Sequence, residues 1–276
     1  MKKNFFLSVI VLVFILTSNS VAGENLMVFC GAAFRLPTEE AIKIFQKKTE
    51  LKVHVVYGGV GTLFSQIILS KKGDIFVSPS PDIMEKIKAK GLLVPDSVTN
   101  LAYVVPCINV QKGNPKNIKE LKDLTRPSLK IAIGNPEIVY IGMLAVEIVD
   151  KNFTARERDA FRKNVVAHAE DFNKLATWLV LGYVDAIIGF HFLEGWYPDK
   201  VETVKLRPEQ IQRIGCGQAA IIAHTRSQEL AQQFITFLNT NEVKDIFRRC
   251  HYFGSPEEAF HWIGMKKPVG GGFVVP

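Results

Sequence analysis

Three short turns carry the residues of this chain that could do chemistry: Gly31-Ala32-Ala33, Gly58-Gly59-Val60-Gly61 and Gly134-Asn135-Pro136. Each follows a β-type run and precedes a helix-type pattern. In an open α/β sheet such turns lie beyond the carboxyl ends of strands, where the next helix points free N–H groups outward. Several helix starts converging on one cleft can hold an anion with no metal and no cofactor, and glycine there lets the backbone approach closely. Arg35 sits two places before Pro37, at the entrance to the first helix. Its planar fork suits carboxylates and phosphates; its plainer use is a surface pair with Glu39 or Glu40.

The side chains give no catalytic pattern. There is no G-x-S-x-G elbow, no H-E-x-x-H, no G-x-x-x-x-G-K-S/T loop and no C-x-x-C pair. His54, His168 and His224 fall in or beside strand-like runs, and His251 and His261 lie ten apart without a second ligand at helical spacing. The chain therefore reads as a binding protein rather than an enzyme, with no cofactor and no metal.

The elements that must position those turns belong to a globular chain. It has 276 residues, 47% hydrophobic and 22% charged, enough for roughly two folding units. A core of that size needs no disulfide or metal staple. Lys2 and Lys3 precede an apolar run from Phe5 to Leu16, followed by Thr17 to Ser20 and Val21-Ala22-Gly23. That is the pattern of a secretory signal over residues 1–22, cleaved after Ala22, and the run is too short to span a bilayer. Cys30 follows Met27-Val28-Phe29, not small residues, which argues against lipidation. The expected product is exported to the periplasm. Its basic excess, 34 Lys and Arg against 27 acids, is mild, with no run of five basic residues. Nucleic acid is thus a poor partner and a small anion a suitable one.

Strand-like and helix-like patterns alternate along the rest. Leu26 to Phe29 is a short apolar strand, and Pro37-Thr38-Glu39-Glu40 opens a helix. Leu51 to Tyr57 alternates as a half-buried strand does, and Thr62 can cap the helix that carries Leu63, Ile67 and Ile68. Strands at Asp74 to Val77, Tyr103 to Val110, Leu129 to Ile133, Val184 to Ile188 and Ala219 to Ala223 continue the rhythm between helices. Such repeats predict an α/β fold with largely parallel pairing.

At Val28-Phe29-Cys30-Gly31-Ala32-Ala33, Tyr57-Gly58-Gly59-Val60-Gly61-Thr62-Leu63, Gly73-Asp74-Ile75-Phe76-Val77-Ser78, Ile133-Gly134-Asn135-Pro136-Glu137 and Ala169-Glu170-Asp171, the chain resembles a known family. These are the substrate-binding proteins of bacterial ABC importers, most closely the molybdate- and tungstate-binding group. The resemblance runs from about residue 26 to 190. It implies a two-lobed, type II periplasmic-binding-protein fold, with mixed sheets flanked by helices and two crossover hinge strands near Val104–Val110 and Gly215–Ile221. Lobe 1 would be residues 23–105 plus 217–268, lobe 2 residues 106–216, and 269–276 a glycine-rich tail draped over the surface. The protein would be a monomer that closes on a small anion and delivers it to an ABC permease.

The implied ligand wall in lobe 1 comprises Ala32, Ala33 and Arg35, then Gly59, Val60, Gly61 and Thr62, then Ser78. Lobe 2 would offer Tyr140 and Ile141, then Phe172, Gly189 and His191, with Trp196 nearby. Where the molybdate group uses hydroxyl side chains, this chain has Ala33 and Val60, and Gly189 where a tyrosine is expected; backbone N–H donors need no particular side chain. Arg35 keeps open an organic carboxylate or phosphorylated acid as ligand, and a surface antigen or sensor partner could use the same fold. With the hinge strands side by side, Cys107–Cys216 is the favoured disulfide and Cys30–Cys250 a second.

Overall fold

The computed structural model describes residues 25–271; the segment read as a leader, residues 1–22, lies outside the described residues, as does the tail beyond Gly271. The apolar runs become β1 (Asn25–Gly31), β2 (Lys52–Gly58), β3 (Ile75–Ser78) and β4 (Thr99–Val104), with α1 (Arg35–Thr49), α2 (Val60–Ser70) and α3 (Pro81–Ala89) between the first of them. The chain continues through β5 (Pro106–Gln111), β6 (Ile131–Gly134), α4 (Tyr140–Asn152), α5 (Ala155–Asn164), β7 (Val165–Ala169), α6 (Phe172–Val180), β8 (Ala186–Phe190), α7 (Leu193–Trp196) and β9 (Val201–Val204). It ends with β10 (Gly215–Ile221), α8 (Gln228–Leu238), α9 (Asn241–Arg249) and α10 (Pro256–Ile263).

These strands form two mixed sheets, ordered β2-β1-β3-β10-β4 and β7-β6-β8-β5-β9. The β–α–β stretches give the parallel pairs β1 with β2 and β3, and β6 with β7 and β8. Antiparallel pairing enters through the strands at the two passages between sheets: β10 with β3 and β4, and β5 with β8 and β9. β1 and β2 stay in register to their last residues, Gly31 opposite Gly58, so the turns that follow them lie side by side. Gly134 of β6 is likewise opposite Ala169 of β7, which sets the starts of α4 and α6 beside each other.

The run expected as one strand from Tyr103 to Val110 is two. Pro106 has no N–H to donate, so the first ladder ends at Val104. Val105 is tied instead to His191: its N–H donates to Nδ1 (3.2 Å) and its carbonyl accepts the His191 N–H (3.1 Å). The first helix also begins two residues before Pro37, which occupies its first turn, where the missing N–H costs nothing. At the far end, Pro268–Gly271 runs beside the second passage: the Ile214 N–H donates to Pro268 O and the Gly270 N–H to Ile214 O, both at 2.9 Å.

Beside that passage lies a buried ionic cluster. Arg213, 4% exposed, donates from Nε to Glu147 of α4 (2.7 Å) and from Nη1 to Asp82 of α3 and to Gly271 O. One guanidinium thus ties both sheets' helices to the connector between them.

Candidate functional site

Between the two sheets is a cavity of ≈ 10 Å³ in this closed form, about what one water molecule needs. Ala32, Ala33, Gly58, Gly59, Val60 and Pro79 line it on one side, and Val139, Tyr140, Ile141, Phe172 and Phe190 on the other. Tyr140 carries the only polar side-chain atom in this lining; its buried hydroxyl has no partner, and burial keeps it protonated. Among the described residues, no Lys or Arg belongs to this lining.

Five helix N-termini among the described residues are capped by side chains: Ser80 accepts from Ile83 N–H, Thr154 from Glu157, Asp171 from Lys174, Thr240 from Val243 and Ser255 from Glu258, while α1, α7 and α8 are not. At the cavity, the 3-10 turn Ala32–Phe34 follows Gly31, α2 follows Gly59 and α4 follows Val139, all without a side-chain cap. The N–H groups of Ala33, Val60, Tyr140 and Ile141 have no acceptor among the described residues. Buried N–H groups are seldom left orphaned, and a helix start adds partial positive charge. This arrangement can bind an anion with backbone donors alone.

Ala32, Ala33, Gly59, Val60, Tyr140, Ile141 and Phe172 meet in this lining. The other residues singled out from sequence lie elsewhere. Arg35 is half exposed, paired with Glu39 at 2.7 Å and resting 5.3 Å from the Tyr57 ring centroid. One helical turn separates that pair, so the guanidinium is held along α1 and away from the cavity. Thr62 is exposed in the first turn of α2, whose N-cap is Gly59. The Ser78 hydroxyl is used within its own turn, donating to Ser80 O and accepting the Ser80 N–H. Gly189 faces Asn109, whose Oδ1 would sit 2.1 Å from any Cβ there, and the next residue, Phe190, turns to the cavity instead. Neighbouring strand residues face opposite ways, so a slip of one in the reading picked the wrong face. His191 stacks on Phe253, with centroids 4.1 Å apart, and burial pushes its pKa down to about 3, which leaves it neutral. Trp196 packs against Phe172 and Phe192.

Gly61 has a different use. Its N–H donates to Ile138 O across the cleft (3.0 Å), while a Cβ on Gly59 would fall 2.4 Å from Glu170 O and 2.9 Å from Ile138 O. The turn Gly59–Gly61 is where the backbones of the two lobes touch. Pro79, Val139 and Phe190 are lining residues that sequence reasoning missed, and Gly58 belongs to a turn it did single out; β alternation would have found Phe190, whereas Pro79 and Val139 carry no side-chain signal.

The expected disulfides are absent. Cys30, Cys107, Cys216 and Cys250 are all buried free thiols. Cys216 faces Tyr103 of β4 in one sheet, whereas Cys107 faces Gly189 of β8 in the other, so the passage strands do not bring the two sulfurs together. Burial pushes Cys30 and Cys216 up to about 12 and Cys250 to about 11, which removes the reactive thiolate. Iodoacetamide at pH 8 should label none of the four in the native protein and all four after denaturation without reductant; fewer than four after denaturation would mean a disulfide. Among the described residues no group of three or more His, Cys, Asp or Glu is placed to hold a metal ion.

The family described as bacterial extracellular solute-binding protein matches residues 26–253. A binding protein of Haemophilus influenzae is 26% identical, over 82% of this chain and 89% of its own length. The molybdate-binding protein ModA of Mycobacterium tuberculosis is 25% identical, over 78% of this chain and 79% of its own. Among solved structures, the periplasmic molybdate-binding protein of Azotobacter vinelandii superposes with a TM-score of 0.71, at 19% identity, over 82% of this chain and 98% of that one. PEB3 with L-phospholactate bound superposes with 0.65, at 19% identity, over 83% and 99%. At those identities the superpositions establish the two-lobed fold.

Proposed function

Because the chain belongs to the bacterial extracellular solute-binding proteins, we propose that it captures a compact oxyanion of the molybdate or tungstate class between its lobes and delivers it, outside the cytoplasmic membrane, to the permease of an ABC importer. The observation that carries this reading is the set of acceptor-less N–H groups at Ala33, Val60, Tyr140 and Ile141, on uncapped helix starts around one closed cavity. Helix starts and oriented amides stabilise an anion by partial charges that need no counter-ion side chain. The sequence relationship to ModA supports the oxyanion class.

An organic carboxylate or phosphorylated acid is the second reading, favoured by the phospholactate found in a protein of this fold. Arg35, which would have recognised it, is engaged with Glu39 outside the lining. A cavity about the size of one water holds neither kind of ligand, so the lobes must open further for either.

A thermal-shift series with molybdate, tungstate, sulfate, inorganic phosphate, phospholactate and fructose 6-phosphate separates the readings. Molybdate or tungstate should give the largest rise, since a ligand at 100 times its Kd adds about 2.7 kcal/mol. A larger shift with either organic phosphate would overturn the assignment in favour of the second reading. No shift with any of the six would remove anion capture altogether.

A further inference from the structure

The first ligand turn has a defect that is written in the sequence. In a regular helix the Ala33 carbonyl would accept from the N–H four residues on, and residue 37 is proline, which has none. The donor comes instead from 219 residues away: the hydroxyl of Tyr252, a buried side chain, donates to Ala33 O. The Tyr252 ring packs on Phe34 (5.0 Å between centroids) and Phe247 (5.4 Å) within the first lobe, and meets Phe192 and Trp196 of the second. It stacks on Phe192 at 4.2 Å and 20°, and Phe192 stacks in turn on Phe190, at 5.5 Å and 23°. Phe190 lines the cavity opposite Ala33. The next residue repeats the pattern, with Phe253 flat on His191 beside the passage at Val105.

We propose that Tyr252 is a positioning residue of the anion site. Its hydroxyl fixes the Ala33 turn on one wall, and its ring, through Phe192 and Phe190, registers that turn against the other wall as the lobes close. The part played in ligand binding rests on the functional reading above; the ordering of the turn does not. Nothing but the hydroxyl is lost in Tyr252→Phe, which keeps the ring and its stacking, whereas Phe192→Leu removes the stack and keeps the hydroxyl bond. Pro37→Ala supplies the N–H that proline lacks, and so offers the Ala33 carbonyl a substitute donor.

The test has a ligand-free arm and a binding arm on the full-length protein. By hydrogen exchange without ligand, Tyr252→Phe should raise exchange of the segment around residues 30–37 at least tenfold, and Tyr252→Phe/Pro37→Ala should restore most of the protection. By calorimetry with molybdate, Tyr252→Phe should weaken binding about 5- to 20-fold. Phe192→Leu should weaken it by a smaller factor, and the double variant by less than the product of the two. A purely space-filling Tyr252 would leave exchange within twofold of wild type, gain nothing from Pro37→Ala and give multiplicative losses; any of these results overturns the proposal. Should the wild type bind no oxyanion, the functional reading fails, and the exchange and rescue measurements still decide what Tyr252 does.

Discussion

Gly59→Ala should weaken ligand binding about 10- to 100-fold while leaving the ligand-free protein folded and nearly as stable. The dihedrals of Gly59, φ −64° and ψ 136°, suit any residue, so the substitution strains nothing in its own lobe. Its Cβ would lie 2.4 Å from Glu170 O and 2.9 Å from Ile138 O, both backbone atoms of the opposite lobe. Neither can swing away as a flexible side chain would, so the lobes must stop short of full closure and lose the Gly61 N–H to Ile138 O bond. A forced overpacking of this kind costs about 1 to 3 kcal/mol, about 5- to 150-fold in affinity. The ligand-free protein relieves the clash by opening. Calorimetry beside urea unfolding makes the check: unchanged affinity would mean that this contact does not belong to the bound form, and an equal loss of stability and affinity would mean that the turn is simply part of the core.

Arg213→Ala should produce the largest stability loss of any single substitution outside the hydrophobic core, about 3 to 5 kcal/mol. It removes the partner of two buried carboxylates, Asp82 and Glu147, together with the donor to Gly271 O. The wild-type arrangement is not itself a strong source of stability: one cation faces two acids, and Nη2 has no partner. A buried pair weighs Coulomb attraction against desolvation, so removing one partner is far worse than removing all. The triple variant Asp82→Leu/Arg213→Met/Glu147→Leu should therefore recover most of what Arg213→Ala loses, as read from urea midpoints. A loss below about 1 kcal/mol for Arg213→Ala would show that water reaches the cluster.

Much of the site was legible because its signal is local. The turns at Ala33 and Val60 sit between a β run and a helix run, which the residues themselves show; that Thr62 falls inside α2 and does not cap it is visible only in the structure. What misled the reading was also local. Arg35 stands next to the right turn, but Glu39 is one helical turn away and holds it outside. The resemblance implies Gly189, and the alternation of β8 turns Phe190 inward instead. Thr62 and Ser78 have hydroxyls near the cleft in sequence, one of them exposed and the other used within its own turn. The cysteines were paired on the expectation that the passage strands run side by side; β10 lies beside β4, and Cys107 is already in the other sheet.

The sequence alone determined the alternation of strands and helices, the family resemblance and the backbone character of the turns that line the cavity, since each depends on residues within one helical turn or one strand of each other. Tertiary structure decided which wall each residue faces, the free state of four thiols, the contact of Gly59 with Glu170, and the two long-range ties at Arg213 and Tyr252. Those depend on the register between strands and on how closely two lobes approach. A proline at residue 37 announces that the Ala33 carbonyl lacks the donor four residues on, but only the packing of a chain folded back on itself shows that Tyr252 donates to it.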